Sequence, residues 1–370
     1  MSDMSTPRAD GFAMPAEYSR HAGTVMIWPE RPGSWIYGGG EARAAFADVI
    51  RAITRSERVW LAVSPASRPS AEELLAPLIA SGGVTLLDAV TDDAWARDVG
   101  PTCVVRGGEV RGVDWRFNAW GGEVDGLYAS WDKDDAFARV VCDAFGLRRY
   151  DARPFVCEGG SVHSDGDGTL MVTSECLLSA GRNPALTQAE IESRLLEYLG
   201  GDAVLWLPYG IYGDETNGHV DNVCAFTSPG EVVLAWTDDP SDPNYARLRE
   251  DRAYLESVRD ARGRRLRVRL LPLPARPVCI TEREAAGFVP EPGEDERVPG
   301  ERLAASYVNF YVTNGGVVMP VFGDENDDVA AGVLADAFPD REILRVPARA
   351  IIVGGGNVHC ITQQIPEGKE

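Results

Sequence analysis

A chain of 370 residues, 44% of them hydrophobic, buries a large core as one big domain or two ordinary ones, and no run in it approaches the eighteen or more apolar residues of a membrane span. Its formal net charge of -21 argues against a nucleic-acid partner, which needs a basic footprint, and weakly favours a cationic ligand. Cysteines stand singly at Cys103, Cys142, Cys157, Cys176, Cys224, Cys279 and Cys360, without CxxC pairs, so neither structural zinc nor disulfides are expected; an opening without the basic and apolar regions of a secretory signal points to the cytoplasm.

In chain order, residues 1–40 combine aromatic and turn chemistry (Trp28, Pro29, Trp35, Tyr37) without a period and read as a wrapped arm. Residues 41–55 place Ala45, Phe46, Val49, Ile50 and Ile53 at helical spacing, and 59–64 form a short apolar strand. A second helix starts at Ser70 as N-cap, kinks at Pro77 and stops at Gly82 and Gly83, ahead of a strand at 84–90. A larger unit then recurs: a polar turn, a pair of strands, a helix and a further strand.

The first such turn, WARDVGP at 95–101, leads into a hairpin about Gly107 and Gly108, the helix DKDDAFARVVCDAFG and a strand near RRYDARP. The second, CEGGSVHSDGDGT at 157–169, leads into the strand TLMVTSECLL, the helix TQAEIESRLLEYLGG and the strand AVLWLPY. DETNGHVDN at 214–222 opens a third, with the long helix YARLREDRAYLESVRDARG and the strand RLRVRLLPL. A fourth follows the Pro/Glu-rich loop 285–302 and ends on the strand EILRVP. Units recurring at roughly 55 to 80 residues stack or close. With segment 350–364 supplying the hairpin missing at the N-terminus, the pattern predicts one α/β domain over 1–370, a closed propeller of five strand-strand-helix-strand modules.

Equivalent turns of a closed ring face one centre, and these hold chemistry: Asp98, Glu158, His219 and Asp221, with Cys360 in the closing segment behind Gly354, Gly355 and Gly356. Each has a plainer reading. Asp98 would pair with Arg97, Glu158 cap a turn, Asp221 make an Asx-turn, and an unpaired cysteine is often a small buried hydrophobe. His163 sits in an Asp/Gly turn that reads as solvent-facing. If their segments are extended, His359 points opposite to Cys360, and Cys157, beside Glu158, faces the core.

The motifs WARDVGP, EGGSVHSDGDGT, DETNGHVDN and GGGNVHC, with the opening MPAEYSRHAGTVMIWPERPGSW, resemble those of the agmatine deiminases, a family of the guanidine-modifying, pentein-type superfamily, along nearly the whole chain. The resemblance implies the same five-module propeller, hydrolysis of agmatine to N-carbamoylputrescine and ammonia on the route to putrescine, no cofactor and no metal, and a homodimer or larger assembly. The residue types fit that chemistry on their own terms. A resonance-stabilised guanidinium carbon is poorly attacked by water and needs a thiolate, here Cys360. His219 suits proton transfer in both directions near neutral pH, and Asp98, Glu158 and Asp221 match the planar guanidinium as hydrogen-bond acceptors.

Competing classes are weaker. A metal-dependent ureohydrolase would use His219-x-Asp221, but four histidines are few for a binuclear site, and a non-catalytic propeller would lack these groups together. Within the superfamily the alternative is a deiminase of free or peptidyl arginine. Arginine adds a carboxylate that wants a cation, whereas the turns assigned to the cavity offer one base, Arg97, directed away from Asp98 if extended. Trp95 is expected along the methylene chain, Glu215 near a distal ammonium, and Asn357 as a further substrate contact.

Overall fold

The computed structural model describes residues 5–291, 294 and 296–368. It is an α/β architecture of five small sheets with helices between their strands. Strands β1 (His21–Ile27), β2 (Val59–Val63) and β3 (Val84–Asp88) run parallel in the first sheet. The next four sheets take three strands each: β4 (Thr102–Arg106), β5 (Glu109–Arg116) and β6 (Arg148–Val156), then β7 (His163–Ser164), β8 (Thr169–Thr173) and β9 (Ala203–Leu207). β10 (Cys224–Ser228), β11 (Glu231–Trp236) and β12 (Arg267–Pro272) are followed by β13 (Tyr311–Val312), β14 (Gly316–Val321) and β15 (Glu342–Pro347).

Each three-stranded sheet repeats one pattern, an antiparallel pair followed by a parallel partner reached through a helix. The first sheet obtains its antiparallel partner from the other end of the chain, where β16 (Gln363–Pro366) pairs with β1 in the register Val25 opposite Gln363. The parallel pairs demand burial on both faces, which explains strands such as VVLA in β11, buried at every position from Val232 to Ala235. Between strands, helix Gly40–Ile53 turns Ala45, Phe46, Val49, Ile50 and Ile53 inward, and helix Gln188–Leu199 begins on a Thr187/Glu190 capping box and stops at Gly200 in the left-handed region.

Several boundaries differ from the sequence reading for local reasons. The arm contains β1, whose run of apolar residues from Val25 to Ile27 is buried on both faces and so shows no alternation. The second helix spans Arg68–Ala80 with Ser67, not Ser70, at its N-cap position, because Pro69 sits in the first turn where its missing N–H is harmless. SECL after β8 is a one-turn helix capped by Thr173 rather than the end of a strand. The long helix of the fourth sheet stops at Ser257.

Candidate active site

The site lines a cavity of about 810 Å³. WARDVGP folds as a one-turn helix, Ala96–Val99, which turns Asp98 toward the cavity while Arg97 leaves in another direction. Asp98 is held from two sides: the Gly160 N–H donates to Oδ1 at 2.8 Å and the Trp120 indole to Oδ2 at 2.9 Å. Gly160 is required there, since a Cβ would lie 2.6 Å from His219 Nδ1 and 2.9 Å from the carboxylates of both Asp98 and Asp221. His219 stands between carboxylates, its Nε2 3.3 Å from Glu158 Oε2 and its Nδ1 3.8 Å from Asp98 Oδ2.

Cys360 is reached over the turn after the one-turn helix Arg349–Ile352, where the Gly356 backbone comes so close to Trp95 that a Cβ would lie 2.5 Å from its ring. Its Sγ is 3.3 Å from Asn309 Nδ2 and 3.6 Å from Asp221 Oδ2. Asp221 Oδ2 also accepts from His359 Nδ1 at 2.8 Å, while Oδ1 is buried and has no donor among the described residues. A carboxylate oxygen left without a donor on a cavity wall is a position for an incoming N–H.

Asp98, His219, Asp221, Cys360, Trp95 and Glu215 all line this cavity. Glu158 and Asn357 do not. Glu158 lies behind His219, fully buried, with its Oε1 2.8 Å from the Arg182 guanidinium. Asn357 is likewise fully buried and accepts from the Val358 N–H, so its side chain shapes the turn that carries Cys360. Trp95 is fixed by its indole N–H on Asp93, which also takes the Trp35 indole, and the two rings lie 5.0 Å apart. Cys157 is buried in a core cluster 3.4 Å from Ser161 Oγ and lines no part of the cavity.

Three expectations are corrected. His163 is buried, not solvent-facing, because Glu17 lies 3.5 Å from its Nε2. The Arg97 segment is a one-turn helix and the His359 segment a turn, so strand alternation governs neither. Arg97 still leaves the cavity, for Glu17 at 3.1 Å, whereas His359 stays at the site and shares the Asp221 Oδ2 atom with Cys360. The base that lines the cavity is Arg297, and Glu215 accepts from it at 2.6 Å instead of standing free. Arg297 comes from the Pro/Glu-rich loop, where no period or motif marks a partner.

Sequence reasoning also missed Glu17, Arg182 and Asn309. Asn309 left a signal, a lone amide inside the apolar run YVNFYV. Glu17 and Arg182 left none, as both act across long separations from segments read as connections.

Electrostatics follow from burial among carboxylates. Burial pushes the Cys360 thiol well up, and Asp221 and Asp98 add to it. Burial pulls His219 down, but Asp98, Cys176 and Glu158 outweigh that and hold it well above the usual histidine range. Burial, with the neighbouring Asp221 and Glu158, raises Asp98. Asp221 and Glu158 are lowered against the pull of burial, the first by His359 and the second by Arg182 and His219. Glu158, Cys176 and His219 bring possible ligand atoms within 4.8 Å of one another. The Arg182 guanidinium and a protonated imidazole both oppose a metal ion at that point.

The comparisons with known proteins agree along the whole chain. The profile of the Porphyromonas-type peptidyl-arginine deiminase family matches residues 13–366. The agmatine deiminase of Ectopseudomonas mendocina is 52% identical over 98% of this chain and 97% of its own, and that of Pseudomonas aeruginosa 50% identical over the same shares. The solved agmatine deiminase of Enterococcus faecalis superposes with a TM-score of 0.95 at 43% identity, covering 98% of each chain. The chain belongs to the Porphyromonas-type peptidyl-arginine deiminase family and has agmatine deiminases among its relatives.

Proposed function

We propose that this protein is an agmatine deiminase, a hydrolase that converts the guanidinium of agmatine into a ureido group with release of ammonia. One observation carries the reading. In a single cavity a thiol lies 3.6 Å from a carboxylate whose other oxygen has no donor among the described residues, with a second carboxylate and an imidazole on the same wall. Relatives named for this activity, alike over nearly the full chain, support it.

The guanidinium takes the donor-less Asp221 Oδ1 and the Asp98 carboxylate as acceptors, a charge-assisted pairing on a buried wall. Its positive charge cancels the repulsion that keeps the Cys360 thiol protonated, so when substrate arrives the thiol gives up its proton to solvent and the thiolate forms. Sγ then bonds to the guanidinium carbon to give a neutral tetrahedral adduct. Protonated His219 gives its proton to one amino group, the C–N bond breaks, ammonia leaves, and a cationic amidino-cysteine remains. Neutral His219 next takes a proton from water as the water oxygen bonds to the same carbon. Collapse breaks the C–S bond, returns the thiol and releases N-carbamoylputrescine. Glu158, paired with Arg182, holds His219 in place for both transfers rather than touching the guanidinium itself.

The five repeated sheets, joined end to end by the β16–β1 pairing, support a closed five-module propeller as one domain with the cavity at its centre. The cell-level reading is a cytoplasmic homo-oligomer serving putrescine formation, and light scattering of the purified protein checks its assembly. Deimination of free or peptidyl arginine is the second reading, favoured by the family's description and by Arg297 on the cavity wall.

A side-by-side assay of ureido product and ammonia from agmatine, arginine and a peptidyl arginine tests this reading, with agmatine expected to lead. Turnover should survive a chelator and be abolished by iodoacetamide, with agmatine protecting the thiol. Loss of activity to EDTA with rescue by manganese would favour a metal-dependent ureohydrolase instead.

A further inference from the structure

Behind the cavity wall lies a buried set of charges that the reaction as described does not use. Glu17 enters the protein interior from the N-terminal arm and its side chain is only 3% exposed. Both carboxylate oxygens lie 2.9 Å from His359 Nε2, Arg97 Nη1 is 3.1 Å from one of them, and His163 Nε2 is 3.5 Å from the other. The other nitrogen of His359, Nδ1, lies 2.8 Å from Asp221 Oδ2, the oxygen that faces Cys360 Sγ at 3.6 Å. One imidazole thus bridges two buried carboxylates, one on the arm and one at the reacting thiol.

We propose that Glu17 is a positioning residue of the reaction: through the His359 ring it fixes the Asp221 carboxylate, in place and ionised, against Cys360 and the incoming guanidinium. This rests on the deiminase reading above for its consequence, but the Glu17–His359–Asp221 linkage stands on geometry alone.

Charged and polar groups face the His359 ring from several elements. A neutral imidazole has one N–H and satisfies one of its two carboxylates; only the doubly protonated ring donates to both. Burial and Arg97, whose guanidinium is within 3.5 Å of the His359 carbonyl, disfavour that cation, while Glu17 and Asp221 favour it and prevail. His163 stacks 6.4 Å away, centroid to centroid, and its own Nδ1 is 3.5 Å from the Phe226 N–H. The Glu17 carbonyl holds His21 Nε2 at 2.8 Å, which in turn faces Glu57 and Tyr311. On the cavity side Asp221 faces Cys360, His219 and Asp98. Without the His359 cation, Asp221 would sit beside another carboxylate with one compensating charge fewer, and its proton affinity would rise.

Glu17→Gln keeps shape and removes the charge, and two readouts separate positioning from mere packing. With 15N-histidine labelling, the His359 signal, assigned through His359→Gln, should report a doubly protonated ring at neutral pH in the native protein and a neutral one in Glu17→Gln. Agmatine turnover in the variant should fall about 10- to 100-fold in kcat/KM, and the acid limb of the pH profile should move toward neutral pH, because Asp221 is then protonated at higher pH. An unchanged His359 signal, or an acid limb that stays in place while only the melting temperature drops, overturns the proposal. If Glu17→Gln does not fold, His359→Gln carries the same test, since its amide donates to Asp221 without charge and must move the acid limb in the same direction. A native protein inactive on agmatine would sink the functional reading, and the nitrogen shifts would still decide the linkage.

Discussion

The floor and the rim of the cavity are both acidic, but they are built differently. On the floor, Asp98 and Asp221 are buried and accept from indole, amide, thiol and imidazole groups, and Asp221 retains an oxygen without a donor among the described residues. At the rim, Glu215 and Glu301 are already matched by Arg297. A cation arriving from solvent therefore gains little at the rim, where it displaces an existing partly exposed ion pair, and much on the floor, where it supplies missing charge and missing N–H groups. On the proposed function, selection for a guanidinium would fall to the floor, and selection for the other end of the substrate to Trp95 and the balance between Glu215 and Arg297.

Variants sharpen that contrast. The largest effect belongs to the thiol: Cys360→Ser should retain agmatine binding and lose turnover by about 10⁴-fold or more, because a hydroxyl is far less ionised than a thiol, whereas Cys157→Ser should stay near wild type in a steady-state assay. Next come the floor carboxylates, for which Asp98→Asn or Asp221→Asn should cost about 10²- to 10³-fold in kcat/KM, the scale of one unpaired buried charge, without loss of fold by circular dichroism.

Substrate choice follows in size. Agmatine should exceed arginine by about 100-fold in kcat/KM, since the carboxylate of arginine would have to compete with Glu215 and Glu301 for Arg297. Arg297→Ala should narrow nothing on the agmatine side, changing its KM by less than about tenfold and leaving kcat intact. The smallest effect is one of pH. Burial and two carboxylates raise the thiol, so iodoacetamide should label Cys360 slowly at neutral pH in the free protein, with a rate that climbs with pH beyond the ordinary thiol range. Fast labelling at pH 7 would mean that the thiolate exists before substrate binds.

How much of this was legible in the sequence depends on whether a residue acts locally or across the fold. The repeating turn, hairpin and helix pattern could be read because each module is local, and the polar turns carried Asp98, His219, Asp221 and Cys360 together to one cavity. β1 escaped because a strand buried on both faces has no alternation to detect. Glu158 was expected on the cavity wall but lies behind His219, since sequence offers no depth, and its partner Arg182 lies 24 residues on, beyond β8 and a one-turn helix. Arg97 and His359 were read by strand alternation although one sits in a one-turn helix and the other in a turn. For Arg97 the direction came out right for the wrong reason, and for His359 the shared carboxylate was missed. Arg297 and Glu17 were invisible for one physical reason: a long-range ion pair leaves no periodicity in either segment that makes it.

The central claim is that Cys360 on the cavity floor forms a covalent bond to the guanidinium carbon. Acid quenching of the enzyme during agmatine turnover, followed by peptide mass spectrometry, tests it most directly. The account predicts an amidine added to the peptide that carries Cys360, appearing with substrate and disappearing as substrate is exhausted. An amidine on the Cys157 peptide, or active turnover in Cys360→Ser, would contradict it.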